Sequence, residues 1–315
     1  MTASIDRGHP AAVHVIVTCA NRKNHLIPAE LQLGNVGGRN AGERARRWIA
    51  RLAKGDLAPH AAAADLYAGE HWSVARRFPE LSLPGETVRL WACSAGYGLI
   101  PASAPVMPYH ATLTPGQADS VPGNSAAWWS ELSQWPGPEP SLARSIQALV
   151  AEDPGAVFLL VLSRNYLNAC GPDVAAARAR ISDARQLMIV SAGTRPQGAL
   201  ADLMIPADAR LQARFGGTRR ALNARIGGHL LSAGIRNAAE ATEHMRQLLA
   251  EQPPVPRYDR VRQSDPEILE RIAKRLDHEP GASANRLLRE FRDAGLACEQ
   301  HRFSRLFRTL AEARP

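Results

Sequence analysis

Apolar and polar positions along this chain follow two patterns. Val13 to Cys19, Val88 to Cys93 and Val157 to Ser163 are short β-branched or leucine-rich runs that end in small polar residues, the signature of buried parallel strands. Leu187 to Ser191 reads as a fourth. Asn40 to Ala53, Pro140 to Glu152 and Val174 to Arg185 carry helical periodicity between them. Strands alternating with helices predict an α/β domain, a parallel sheet sandwiched by helices.

Residues 101 to 140 are rich in Pro, Gly and Ser and contain Trp128, Trp129 and Trp135. A stretch this long between elements predicts a functional lid or binding loop. From Pro196 to Ala250 the pattern is helical again, with Thr218 placed to cap a helix bearing Arg219 and Arg220, a start suited to a DNA phosphate. Residues 251–263, with Pro253, Pro254 and Pro256, read as a linker between an α/β domain over 1–250 and a small all-α module over 264–315.

That module carries three helix signals. Ser264-Asp265-Pro266-Glu267 is a capping box with proline early in the helix, followed by Ile268, Leu269, Ile272 and Leu276 as an apolar stripe. Ser283 caps a second helix that buries Leu287, Leu288 and Phe291 and ends at Gly295. A third, from about Glu299, sets Phe303, Leu306, Phe307 and Leu310 against Arg302, Arg305 and Arg308. Two short helices joined by a turn, the second presenting arginines, predict a helix-turn-helix-like DNA-binding unit. Bulk charge does not decide this, because residues 257–315 hold thirteen Lys and Arg against ten Asp and Glu.

Length and charge agree with this division. At 315 residues the chain is long for one core. Its 38 Lys and Arg exceed its 30 Asp and Glu, and nearly all the cations are arginine, whose fork fits phosphate and guanine edges. The four cysteines, Cys19, Cys93, Cys170 and Cys298, show neither zinc spacing nor a disulfide framework, so no metal and no cofactor is expected and a reducing cytoplasm fits. The first ten residues lack an apolar signal core and no run is long enough to span a bilayer, so no membrane attachment is expected.

In a parallel sheet the ligand crevice lies outside the carboxyl ends of the strands. Here those ends carry Asn21, Arg22 and Lys23; Ser94, Tyr97 and Gly98; Ser163, Arg164, Asn165 and Tyr166; and Thr194 and Arg195. Hydroxyls, amides and arginines suit a phosphodiester and a base better than a metal, and no phosphate-binding glycine pattern accompanies Gly96 and Gly98.

Ser94-Ala95-Gly96-Tyr97-Gly98-Leu99-Ile100 followed by Pro108-Tyr109 resembles the signature of the YaaA-like peroxide-stress family, and Asp65-Leu66-Tyr67-Ala68-Gly69 resembles that family's LY-x-G segment. The likeness covers roughly residues 13 to 115. It implies DNA binding and an architecture related to DNA glycosylases. The strand pattern is also similar to uracil-DNA-glycosylase-like α/β domains, whose first strand is followed by an Asp or Asn that positions water; only Asn21 matches that place. Neither a G-Q-D-P-Y nor an H-P-S segment is present, which points away from uracil and toward a phage-defence glycosylase acting on modified bases.

Two functions follow. In the first, a monomeric DNA glycosylase flips a modified base out of double-stranded DNA: Asn21 is catalytic, Ser94, Tyr97, Tyr109, Ser163, Asn165, Tyr166 and Thr194 line the base pocket, and the Trp-bearing stretch supplies a wedge. Arg22, Lys23, Arg164, Arg195, Arg219, Arg220, Arg302, Arg305 and Arg308 hold DNA, and Asp65, Glu70 or Asp119 supplies negative charge to an oxocarbenium-like transition state. In the second, the protein is a DNA-binding stress or regulatory protein without chemistry.

Overall fold

Five strands, β1 (Ala12–Thr18), β2 (Thr87–Ser94), β3 (Gly98–Pro101), β4 (Val157–Val161) and β5 (Leu187–Val190), form one sheet of order β3-β2-β1-β4-β5. All seven residues of β1 are buried, as a central strand covered on both faces requires. In a computed structural model that describes residues 12–195, 198–255 and 259–312, β1 runs parallel to β2 and β4, and β4 parallel to β5. What was expected of residues 1–11, 196–197, 256–258 and 313–315 lies outside the described residues. β3, absent from the expected pattern, pairs antiparallel with β2 through a tight turn in which Gly98 takes φ +72°, a left-handed conformation that a side chain would strain.

Helices flank the sheet. α1 (Ala41–Leu52) is capped by Asn40, whose side chain accepts from the Glu43 amide at 2.9 Å. α2 (Glu70–Ala75) precedes β2, and α3 (Ser125–Gln134) occupies the stretch expected to be an open loop. Trp128 and Trp129 are buried in α3, with their indole N–H groups on the Ala95 carbonyl at 2.8 Å and the Asp173 carboxylate at 2.9 Å. Two tryptophans with satisfied donors in a core are not a wedge, and that expectation is corrected. α4 (Ile146–Glu152) is shorter than expected and is capped by Ser145, whose side chain accepts from the Ala148 amide.

α5 (Arg164–Arg178) starts ten residues before the expected helix and ends seven before it, with Pro172 inside it. Beside that proline, Asp173 accepts from the backbone amides of Ile146 and Gln147 at the head of α4, at 2.8 and 2.9 Å. α6 (Leu222–Ser232) and α7 (Ala238–Ala250) follow β5. A bidentate pair between Glu86 and Arg236, 0% and 7% exposed, ties the start of β2 to the segment after α6 at 2.7 and 2.8 Å. On β1, buried His14 accepts from the Trp91 indole N–H at 3.0 Å and donates through Nε2 to Asp153 at 3.2 Å, so it is neutral with its proton on Nε2; burial lowers its pKa.

Each sheet edge finds a further partner. Arg144 donates to the Leu99 carbonyl at 2.6 Å and to the Tyr97 carbonyl beside β3, while Ile189 of β5 bridges Met204.

The chain divides into units spanning Met1–Pro253 and Pro254–Pro315. In the second, α8 (Asp265–His278), α9 (Ala284–Asp293) and α10 (Gln300–Glu312) match the three expected helices and enclose Ile268, Ile272, Leu276, Leu287, Leu288, Phe291, Phe303 and Leu306. Glu267 accepts from the Ser264 amide and hydroxyl, both at 2.7 Å, and Ser283 accepts from the Arg286 amide at 3.4 Å. The unit is not wholly helical, since Val261–Arg262 pairs in parallel with Leu296–Ala297. That pairing takes the end of the expected linker into the module.

Candidate functional site

Because β1 continues to β2 on one side and the chain later returns to β4 on the other, the strand order reverses between β1 and β4, the kind of place where an α/β sheet can hold a ligand beyond its carboxyl ends. Thr18 accepts from the Ser163 amide through its hydroxyl at 2.9 Å, joining the two ends, and its carbonyl accepts from His71 Nε2 at 3.1 Å.

After Thr18 the chain is stitched to residues 65–68. Lys23 bridges Tyr67, the Ala68 amide donates to the Arg22 carbonyl, and Asn24 reaches the Leu66 carbonyl through its amide and the Asp65 carbonyl through its side chain. Asn21 and Arg22 are exposed. Lys23 turns inward instead: its Nζ lies 4.2 Å from the centroid of the Tyr109 ring and 5.7 Å from that of Tyr67, and donates to the Asn21 carbonyl at 3.2 Å. Burial lowers its pKa from the ordinary 10.5 to about 8, opposed by the nearby Cys19 and Asp119.

Beneath the lysine lies a buried network of hydroxyls and one thiol, centred on Tyr109. Tyr109 OH is 2.7 Å from Ser94 Oγ, 3.0 Å from Tyr67 OH and 3.7 Å from Cys19 Sγ, which is itself 3.2 Å from Tyr166 OH. Burial pushes the Tyr67, Tyr109 and Tyr166 phenols well above their usual range, so all three are neutral. Ser94 also accepts from the Gly96 and Tyr97 amides at 3.2 and 2.9 Å. At Gly96 a Cβ would stand 2.4 Å from the Tyr109 ring, so glycine is what lets the tyrosine pack there. Tyr97 OH accepts from the Met107 amide at 3.0 Å. The segments 65–69, 94–100 and 108–109, far apart in sequence, therefore meet in one cluster under Lys23.

The expected base-pocket residues separate into groups. Ser94, Tyr97, Tyr109 and Tyr166 are buried and occupied with internal partners, so they support the site from below and do not line an open pocket. Ser163 and Asn165 are half-buried at the start of α5. Thr194 hydrogen-bonds Ser191 at 2.9 Å and, with Arg164, Asn168, Gly193, Arg195 and Met204, lines a depression of about 860 Å³. Arg164 spans its mouth to the Gly193 carbonyl at 2.7 Å.

Of the three carboxylates, Asp65 is exposed and Glu70 is committed to Arg225 at 2.7 Å and to the Thr218 amide at 3.0 Å. Asp119 accepts from the Gly34 amide at 2.8 Å and faces His110 Nδ1 at 3.6 Å. Its charge acts on both Lys23 and His110. Thr218 stands where a cap was expected, but its side chain makes no cap bond and its amide already holds Glu70, so this helix start is not an open phosphate site; Arg219 and Arg220 beside it are exposed.

In the second unit Arg302 is half-buried, donating to Asp265 at 2.7 Å and to the Gln263 carbonyl at 3.1 Å, and Arg305 lies 3.5 Å from the same carboxylate. Arg308 is exposed without an ion pair among the described residues. The pairing of 261–262 with 296–297 also gathers Arg260, Arg262, Arg292 and Arg302 around a depression of about 420 Å³ near Cys298. Only the folded unit brings these arginines together.

Two residues gain importance from the structure. Lys23, expected to hold phosphate, is an amine turned onto the Tyr109 ring; its signal in the sequence is that lysine occurs three times among 38 cationic residues. Leu26, three residues later, is 96% exposed. Among the described residues no cluster of three metal-ligating side chains occurs, no helix is long and apolar enough to cross a membrane, and all four cysteines are free and buried. Comparison with protein-family models, curated proteins and solved structures brings no match.

Proposed function

We propose that the protein is a DNA N-glycosylase that extrudes a modified base at the carboxyl edge of its sheet and hydrolyses the bond to deoxyribose. The observation that carries this reading is the convergence of residues 65–69, 94–100 and 108–109 beneath Lys23, at the carboxyl ends of β1 and β2, with Tyr166 after β4 joined to the cluster through Cys19. These are the segments that resemble the YaaA-like family, and their meeting supports that kinship and, through it, a link to glycosylases.

In this reading Arg22, Arg164 and Arg195, each following a strand end, hold phosphates around the crevice. Leu26 takes the wedge role expected of the tryptophans: it projects from a segment pinned at Asn24 and at the Ile27 carbonyl, and basic residues precede it. Water adds to C1′ as the base leaves with a proton, Asn21 orients that water, and Asp119 offsets the positive charge developing on the sugar. The C-terminal unit adds affinity through Arg308 and the Arg260, Arg262 and Arg292 group. We place the protein in the cytoplasm, as a monomer, without a cofactor.

A second reading, a DNA-binding protein without chemistry, draws on the mutual satisfaction of the buried hydroxyls, which suits a structural cluster. Incubation with heavily modified phage DNA, followed by mass spectrometry for free base and alkali cleavage for abasic sites, separates the two. Release of a base is expected; DNA binding with no base released from any modified substrate overturns the enzyme.

A further inference from the structure

We infer that Lys23 is an amine nucleophile that gives the protein a second activity, strand cleavage at abasic sites through a Schiff base. The inference rests on the glycosylase reading for the substrate, DNA whose base has been lost, and on the placement of one amine for the chemistry.

The argument starts from residue choice. Arginine, which the chain uses for nearly all of its positive charge, cannot shed its proton near neutrality and so cannot act as a nucleophile, whereas a lysine amine can. Lys54 is exposed and Lys274 is paired with Glu270 at 2.8 Å, both ordinary surface roles. Of the three, Lys23 alone is drawn inward, in the segment that follows the carboxyl end of β1. Its Nζ sits over the Tyr109 ring and donates to one backbone carbonyl, and among the described residues no carboxylate stands within ion-pair distance. An amine kept from a carboxylate and partly from water is more easily neutral, which agrees with its lowered pKa. The bridge to Tyr67, the Ala68 amide donating to the Arg22 carbonyl and the two bonds donated by Asn24 hold the segment in place before any ligand arrives.

An abasic deoxyribose opens to an aldehyde at C1′. The neutral Nζ attacks that carbon, the carbonyl oxygen departs as water, and an iminium ion joins lysine to sugar. The iminium draws electrons and acidifies the C2′ proton. Removal of that proton sends its electron pair into a C2′–C3′ double bond, and the C3′–O bond breaks with phosphate as the leaving group. Water then hydrolyses the iminium, freeing the lysine and an unsaturated aldehyde; no oxidant or reductant enters. His110 is the nearby acceptor for the C2′ proton: burial and the Lys23 charge lower its pKa, so its ring is neutral, and Asp119, 3.6 Å away, offsets the positive charge that His110 gains and keeps.

The test uses the full chain and a duplex oligonucleotide with one abasic site, which requires no knowledge of the modified base. With sodium cyanoborohydride present, a covalent protein–DNA adduct is expected, mapping by peptide mass spectrometry to Lys23; without it, a nick at the abasic site. Lys23→Arg and Lys23→Gln should lose adduct and nick while Lys54→Arg keeps both, with circular dichroism and DNA affinity reporting that each variant folds. An adduct at another residue, or abasic DNA bound by wild-type protein with neither adduct nor nick, overturns this inference. Release of free base from modified DNA in that second case would leave the glycosylase reading standing; its absence would remove both.

Discussion

Arg302 on α10 points its Nε at Asp265, the first residue of α8, 2.7 Å away. An arginine engaged in this way holds two helices together. Arg302→Ala should therefore destabilise the C-terminal unit by about 1 kcal/mol, the range for a partly exposed pair, which in a unit this small lowers its melting temperature by about 4 to 8 °C. Differential scanning calorimetry of the full chain checks this; an unchanged transition means that the pair contributes nothing.

Arg308, exposed and without an ion pair among the described residues, gives the cleaner test of DNA contact. Arg308→Ala should leave thermal stability unchanged and lower the slope of log affinity against log salt by about 0.9, the value for one phosphate contact. Fluorescence anisotropy from low to moderate salt measures it, and an unaltered slope removes Arg308 from the interface.

Gly96→Ala should disturb the cluster under Lys23 more than its added methyl suggests. The new Cβ would lie 2.4 Å from the ring of Tyr109, which is fully buried and bonded to Ser94 and Tyr67. Overpacking of this kind costs about 1 to 3 kcal/mol, measurable by urea unfolding. A variant as stable as the parent shows that the ring has room to move.

Glu86→Ala is expected to be the most damaging of these changes, because it leaves the Arg236 guanidinium buried without its bidentate partner. Breaking one side of a buried pair costs about 3 to 5 kcal/mol. Recovery of most of that loss in the double variant Glu86→Leu, Arg236→Met would show that the stranded charge is the cause.

The pH response of Lys23 has a definite sign. Its folded pKa of about 8 lies below the ordinary 10.5, so between those values the unfolded chain holds the extra proton and stability gains as pH rises through the window. Lys23→Met should lack that gain, and nicking of abasic DNA by the parent should climb as pH passes 8. A parent and variant with parallel stability curves from pH 7 to 10.5 would mean that the amine titrates as a free lysine.

Leu26→Ala should leave phosphate-driven affinity almost intact and reduce the fluorescence rise of a 2-aminopurine placed beside the target base, since an apolar side chain of 96% exposure acts on the base stack and not on charge. Equal fluorescence from both proteins assigns Leu26 no part in base extrusion.

The parallel strands were legible because unbroken β-branched runs such as Val13 to Val17 admit little besides a buried strand. β3 was not, since Gly98, Leu99, Ile100 and Pro101 read locally as a turn and become a strand only through pairing with β2. The start of α5 was hidden by Pro172, which argues against a helix until its surroundings are known. α3 lay within a Pro- and Gly-rich stretch, where Asn124, accepting from the Ala126 amide at 2.9 Å, was its cap signal. At the site, strand ends pointed to a set of residues that packing then divides: the same edge sends Asn21 outward, Lys23 inward, and Ser94 and Tyr109 toward each other, while Thr194 and Arg195 line a separate depression. In the C-terminal unit helical spacing placed Arg302, Arg305 and Arg308 correctly along α10, while Asp265, 37 residues before Arg302, decided which are engaged.

Arg144, which binds the Leu99 carbonyl and the Tyr97 carbonyl next to it, bears on how the molecule avoids its own kind. An outermost strand with idle carbonyls is a template on which another chain can add a strand, the first step toward sheet-to-sheet aggregation. One guanidinium occupies that template at β3, and the bridge from Ile189 to Met204 does the same at β5. Arg144 thus blunts an edge on which another strand could build, a duty distinct from that of the arginines proposed to hold DNA and invisible to any assay that measures only contact with DNA.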